Sequence, residues 1–164
     1  MDSFDDVLSA NADYAEHFQD PGRPGKAARG LAVVTCMDSR ISPLEMLGLE
    51  PGDAKILRNA GARVTDDVLR TLVLAVHLLD VNRVMVVAHT DCRMTKVTDD
   101  EVHAEILACG VDTRSLEFRT TGDQRAELAG DVQRIRSSPY LPKDLPVIGA
   151  IYDVATGLIE VAVP

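Results

Sequence analysis

Residues 31–35, Leu-Ala-Val-Val-Thr, form an unbroken run of small and β-branched side chains that ends at once in Cys36, Asp38 and Arg40. A half-exposed strand alternates apolar and polar residues. This run does not alternate, so it suits a strand inside a parallel sheet with both faces covered. The polar cluster then falls at the strand's carboxyl end, where open α/β sheets place their ligands. A second run, Val84-Met85-Val86-Val87-Ala88, ends the same way, in His89-Thr90-Asp91-Cys92. Two strands thus deliver two thiols, an imidazole, a carboxylate and a guanidinium to one edge of a sheet.

The chain has 164 residues, 46% of them hydrophobic, which fits one domain with a real core and excludes general disorder. Seventeen Lys+Arg against 26 Asp+Glu give a formal charge of −9. That balance argues against a nucleic-acid or anionic-membrane surface and favours a small ligand. No apolar stretch approaches the ~20 residues of a membrane span, and Met-Asp-Ser-Phe-Asp-Asp lacks the basic start and apolar core of a signal peptide. The three cysteines are odd in number and far apart, so they do not form a disulfide framework. A reducing cytoplasm is the expected setting, with thiols free for metal or catalysis.

Before the first strand, residues 3–18 read as an amphipathic helix. Ser3 is its expected cap, and Phe4, Val7, Leu8, Tyr14, Ala15 and Phe18 lie along one stripe. Asp20-Pro21-Gly22-Arg23-Pro24-Gly25 breaks the pattern as a linker. The helix either folds back on its own domain or lays its stripe on a second subunit; the residues alone leave both open. Residues 43–49 suggest a short helix, and 54–57 a second strand followed by Arg58-Asn59-Ala60-Gly61. Thr65-Asp66-Asp67 opens a helix to about Leu79 whose apolar residues cover nearly all sides, which predicts burial, with His77 as a packing residue. Thr98 to Glu101 has capping-box spacing and starts a helix ending near Cys109-Gly110. Cys109 is expected as a small buried apolar residue there, and His103 at the surface. Residues 111–122 read as a loop, and 124–136 as a charged helix with Leu128, Val132 and Ile135 inward. A strand at 147–152 and an antiparallel edge strand at 158–163 complete an α/β sheet of mostly parallel strands flanked by helices.

If the strands that end in Cys36 and His89 are neighbours where strand order reverses, Cys36, His89 and Cys92 converge in the crevice between their loops. Two thiolates and an imidazole suit Zn²⁺, and three protein ligands leave a fourth position open. His-x2-Cys plus a distant Cys differs from the paired Cys-x2-Cys knuckles of structural zinc sites. Each residue taken alone has a bland reading, a strand-end Cys being often mere core. All three beside Asp38 and Arg40 favour ligation. A phosphatase-like thiol would want Cys-x5-Arg, and Ser42 occupies that position.

Cys-Met-Asp-Ser-Arg (36–40), Arg58-Asn59-Ala60-Gly61 and His89-Thr90-Asp91-Cys92 together resemble the β-class carbonic anhydrases, and the likeness spans roughly residues 31–161. The resemblance implies a sheet in strand order 2-1-3-4 with a further edge strand. It also implies a homodimer with exchanged N-terminal arms, and so favours the arm reading of residues 3–18. On it the chain is a single domain over 1–164, with 1–25 as helical arm and linker and 26–164 as α/β core. It assigns Cys36, His89 and Cys92 to zinc and an orienting dyad to Asp38 and Arg40. The implied reaction is reversible hydration of carbon dioxide to bicarbonate and a proton by zinc-activated water, with Ala60 and Gly61 lining a small dry pocket. In this scheme Asp38 either stays on Arg40 or swings onto the metal as a fourth ligand, giving a closed state. Two positions depart from the family pattern: Arg93 stands where Gly usually follows the second Cys ligand, and Glu50 where plant-type members carry a substrate-polarising Gln. The alternatives are a related zinc hydrolase for COS or CS₂, and a non-catalytic zinc-binding regulatory protein of the same fold.

Overall fold

The computed structural model describes residues 3–164; the first two residues of the 1–25 arm and linker lie outside the described residues. The sheet is built from β1 (Leu31–Cys36), β2 (Ala54–Asn59), β3 (Arg83–His89), β4 (Val147–Tyr152) and β5 (Ile159–Val163). Their order is β2-β1-β3-β4-β5. Every pairing is parallel except β4 with β5, as the sequence predicts. All six residues of β1 are buried, the outcome its unbroken apolar run demands. Because β1 and β3 are neighbours, with Thr35 level with Val87, their carboxyl ends open side by side.

On one face of the sheet, Ala32, Val34, Val84, Val86 and Val147 pack under α2 (Asp66–Leu78) and α4 (Gln124–Arg136), which contribute Val68, Leu72, Leu128, Val132 and Ile135. On the other face, Leu31, Val33 and Val87 lie under Leu44, Met46, Leu47 and Leu49 of the 41–49 segment. Helix α4 sits unusually close to β4. A Cβ on Gly149 would stand 2.9 Å from Leu128 Cγ and 3.0 Å from Val132 Cγ2, so only glycine admits this approach.

Several expectations need correction. The N-terminal helix α1 spans Asp5–His17, and its N-cap is Phe4 rather than Ser3. None of its residues is buried, and Phe4, Val7, Leu8, Tyr14 and Phe18 all stand exposed, so it does not fold back on its own chain. Residues 43–49 hold a 3₁₀ turn, Glu45–Leu47, because Gly48 at φ 62° ends it after one turn. Helix α2 buries only Val68, Leu72 and Ala75, and leaves Leu74 and Leu78 exposed, since a sheet covers one side of a helix and, among the described residues, none buries these two on the other. His77 is exposed with it, and its Nε2 faces the Tyr140 carbonyl at 2.9 Å.

Helix α3 (Asp99–Ala108) has the capping box formed between Thr98 and Glu101. It lies on the surface, so Cys109 at its C-cap is exposed rather than buried. His103 is half-buried against Thr113 and Phe118. The 111–122 segment carries no helix or strand, as expected. Asp99 ties it down by accepting from the Thr120 hydroxyl at 2.5 Å and from the N–H groups of Phe118, Arg119 and Thr120. These bonds, those to Thr120 foremost, pull the Asp99 carboxyl down to about 2.

Candidate metal centre

Cys36 closes β1, His89 closes β3, and Cys92 follows three residues further on; they are 4%, 1% and 4% exposed. Between the last two, Asp91 adopts a left-handed backbone (φ 58°) that turns the chain back toward β1. One ligand atom from each of Cys36, His89 and Cys92 lies within 4.8 Å of the other two. This is the convergence that strand adjacency predicts.

The donors are presented as a metal needs them. His89 Nδ1 lies 2.8 Å from the Thr90 carbonyl, which can only accept, so Nδ1 carries the proton and Nε2 keeps its lone pair. Among the described residues, Nε2 is the one buried side-chain nitrogen or oxygen without a hydrogen-bond partner, an arrangement that costs stability unless an electrophile fills it. The two thiols sit side by side. Cys92 donates toward Cys36 and, helped by the ring of His89 and the Gly61 N–H at 3.4 Å, holds the Cys36 thiol far below its ordinary range. The same contact, with burial, pushes the Cys92 thiol up. One proton leaves easily and the second with difficulty, because two adjacent thiolates repel; a divalent cation removes that penalty for both. Burial lowers the basicity of His89, but the neighbouring Cys36 sulfur outweighs it and the shift is upward. This donor set fits Zn²⁺.

Asp38 and Arg40 stand at the mouth. Arg40 grips the Asp38 carboxylate with Nε at 3.0 Å and Nη2 at 2.8 Å, and adds its backbone N–H at 2.9 Å. That fork holds the Asp38 carboxyl well below the usual range and raises the guanidinium in turn. Asp38 Oδ2 lies 3.8 Å from His89 Nε2. Lys96 and Arg40 together hold Asp91 low. Of the two residues expected to line a pocket, Gly61 borders a cavity of about 10 Å³ with His89 and Cys92, whereas Ala60 does not line it and sits beside it in the turn.

The departures from the family pattern are placed as well. Arg93 turns away from the cluster and pairs with Glu105 of α3 at 2.5 Å, well exposed. Glu50 is exposed in the turn that leads into β2, and Ala54 at the start of β2 is level with Leu31, so within one chain Glu50 stands at the opposite end of the strands from Cys36.

Further residues hold the ligand loops in place. Arg58 donates through Nε to the Cys36 carbonyl at 2.9 Å and through Nη2 to the Asp38 carbonyl at 2.6 Å, fixing the loop that carries both. The Asn59 side chain bonds both backbone groups of Arg63 and so shapes the turn that aims the Gly61 N–H at Cys36. Gln124, at the start of α4, donates to the His89 carbonyl at 2.9 Å. Behind the ligands, half-buried Arg63 binds Asp131 at 2.7 Å and Glu127 at 2.5 Å. Arg58 and Asn59 lie in a motif visible in the sequence; nothing along the chain marks Gln124.

The model of the carbonic anhydrase family matches residues 31–159. Beta-carbonic anhydrase 1 of Mycobacterium tuberculosis is 34% identical over 160 residues, covering 98% of each chain. Carbon disulfide hydrolase of Acidianus sp. is 32% identical over 153 residues, covering 78% of this chain and 74% of that one. Among solved structures, carbonic anhydrase from Streptococcus mutans superposes with a TM-score of 0.91 at 38% identity, covering 99% of this chain and 98% of the other.

Proposed function

The chain belongs to the β-class carbonic anhydrases, and we propose that it carries out the reversible hydration of carbon dioxide to bicarbonate and a proton at a zinc ion held by Cys36, His89 and Cys92. The observation that carries this reading is the buried cluster with its unpartnered His89 Nε2, faced by an ionised carboxylate at 3.8 Å. When bound, zinc supplies the Lewis acidity that makes a water molecule give up its proton near neutrality.

The remaining roles belong to the chain. Asp38 is an acceptor at the open side of the ligand triad, where it orients a hydrogen-bond donor in the site. Arg40 keeps that carboxylate ionised and aimed, and Arg58 fixes the backbone beneath it. Gly61 stabilises the Cys36 thiolate and, without a Cβ, leaves the wall flat; a Cβ there would meet Met94 at 3.3 Å. Ala60 beside it likewise carries no bulky side chain. Asp38 held on Arg40 is the open arrangement; Asp38 released toward the cluster is the closed one.

We read the chain as one domain, with residues 1–25 as arm and linker and 26–164 as core. The uncovered apolar stripe of α1 supports a homodimer in which each arm packs on its partner. No described helix is long and apolar enough to cross a membrane, and three cysteines without a disulfide suit a cytoplasmic setting. Carbon disulfide hydrolases are among the relatives, so CS₂ is the competing substrate. Their shorter coverage beside a relative matched end to end favours CO₂. Stopped-flow CO₂ hydration by zinc-loaded protein, with metal content measured on the same sample and CS₂ and COS assayed in parallel, tests the reading. Hydrolysis of CS₂ without hydration of CO₂ by fully loaded protein would overturn it.

A further inference from the structure

Arg40 is gripped from two sides. Its Nε and Nη2 hold Asp38, while Nη1 donates to Asp91 Oδ2 at 2.7 Å and Nη2 reaches the Asp91 carbonyl at 3.1 Å. Asp91 stands between His89 and Cys92, and its left-handed backbone turns both its carboxylate and its carbonyl onto one guanidinium. Non-glycine residues seldom adopt that conformation, and Asp and Asn are among the few that do so readily. The second carboxylate oxygen of Asp91 is taken by Lys96, which caps the 3₁₀ turn Arg93–Thr95. A line of alternating charge, Lys96–Asp91–Arg40–Asp38, therefore joins the loop after β3 to the loop after β1 across the mouth of the cluster.

We propose that Asp91, anchored by Lys96, is a positioning residue that latches Arg40 onto Asp38 and thereby keeps the Asp38 carboxylate aimed across the site and off the metal. An isolated exposed ion pair contributes little, but a forked guanidinium held in a network is the exception. With Asp38 alone as partner, the half-exposed Arg40 is free to swing into water. With Asp91 on its far edge, any rotation that releases Asp38 breaks two further bonds. The other cations nearby do not substitute: Arg93 is committed to Glu105, and Arg58 to two backbone carbonyls. The inference rests on the zinc-ligand reading of Cys36, His89 and Cys92.

The test uses zinc-loaded full-length protein and follows arginine Nε–H groups by ¹H–¹⁵N NMR, with the Arg40 signal identified by its loss in Arg40→Lys. Asp91→Asn keeps shape and backbone tolerance while removing the charge. It should speed hydrogen exchange at Arg40 Nε–H by about tenfold, the loss of one charge-assisted bond, and lower kcat with zinc content unchanged. Lys96→Met should give a smaller shift in the same direction, and Lys96→Arg should restore the wild-type signal. Glu105→Gln, which unpairs the neighbouring Arg93, should leave Arg40 alone. Unchanged exchange in both Asp91→Asn and Lys96→Met would overturn the latch, and so would loss of zinc from Asp91→Asn, which would make Asp91 part of the ligand scaffold instead. The exchange signal needs no turnover. Protein that shows these shifts yet hydrates no CO₂ would therefore sink the proposed function and leave the latch standing.

Discussion

Replacing Gly149 by Ala should loosen helix α4 and, with it, one support of His89. The new Cβ would stand 2.9 Å from Leu128 Cγ, 3.0 Å from Val132 Cγ2 and 3.2 Å from Leu128 Cδ1. Unstrained carbon contacts sit at ~3.5–4.0 Å, so the helix must retreat by roughly half an ångström to one ångström. The strand cannot yield instead, because β4 is held on both sides by β3 and β5. Overpacking of this kind costs about 1–3 kcal/mol. The stiffer unfolded chain returns roughly 0.4–1 kcal/mol, which leaves a net loss of about 1–2 kcal/mol. For a domain of this size that is a fall in Tm of roughly 3–7 °C. The loss should be coupled to Leu128, which supplies two of the three close atoms. Leu128→Ala alone opens a cavity at about 2–5 kcal/mol, but Gly149→Ala on that background should add little or even stabilise, a coupling of at least about 1 kcal/mol. Urea unfolding of wild type, both single variants and the double variant, at one protein concentration and one zinc loading, measures the cycle. Strict additivity, or a Gly149→Ala protein as stable as wild type, would refute the argument that α4 rests on the bare backbone of β4.

The zinc assignment predicts about one ion per chain in pure protein, with ligand loss in Cys36→Ala, His89→Ala or Cys92→Ala emptying the site; full occupancy in all three would exclude it, and Cys109→Ala, on the exposed end of α3, should leave zinc untouched. Asp99, held at about 2 by Thr120 and three backbone N–H groups, has a folded pKa below its unfolded value near ~3.9. Its contribution is therefore present above about pH 4 and lost as pH falls through about 2. The urea-midpoint advantage of wild type over Asp99→Asn should be full at pH 6 and fade by pH 2; a gap that stays constant would count against the 111–122 anchor. Deleting residues 1–20 removes the exposed stripe of α1 and should shift sedimentation from dimer toward monomer; an unaltered dimer would show that the arm is dispensable.

How much of this was readable along the chain depends on the range of the physics involved. The unbroken apolar runs at 31–35 and 84–88 specify strands covered on both faces, and the polar residues that end them fall at the ligand edge by that fact alone. The chelating spacing of His89 and Cys92 and the dyad of Asp38 and Arg40 are likewise local. All of these reappear in space where the sequence puts them. What a residue touches across elements is not local. The apolar residues of α2 ring the helix, yet burial went only to Val68, Leu72 and Ala75, because the sheet offers one face. Cys109 looks like core by residue type and is exposed, because α3 buries none of its residues. Gln124 reaches the His89 carbonyl only because Gly149 lets α4 settle onto β4. Asp91 meets Arg40 from 51 positions away because β1 and β3 are neighbours, so their loops open side by side. Periodicity and residue chemistry decide which strands form and which groups stand at their ends. The packing of helices and loops against the finished sheet decides which of those groups hold one another in place.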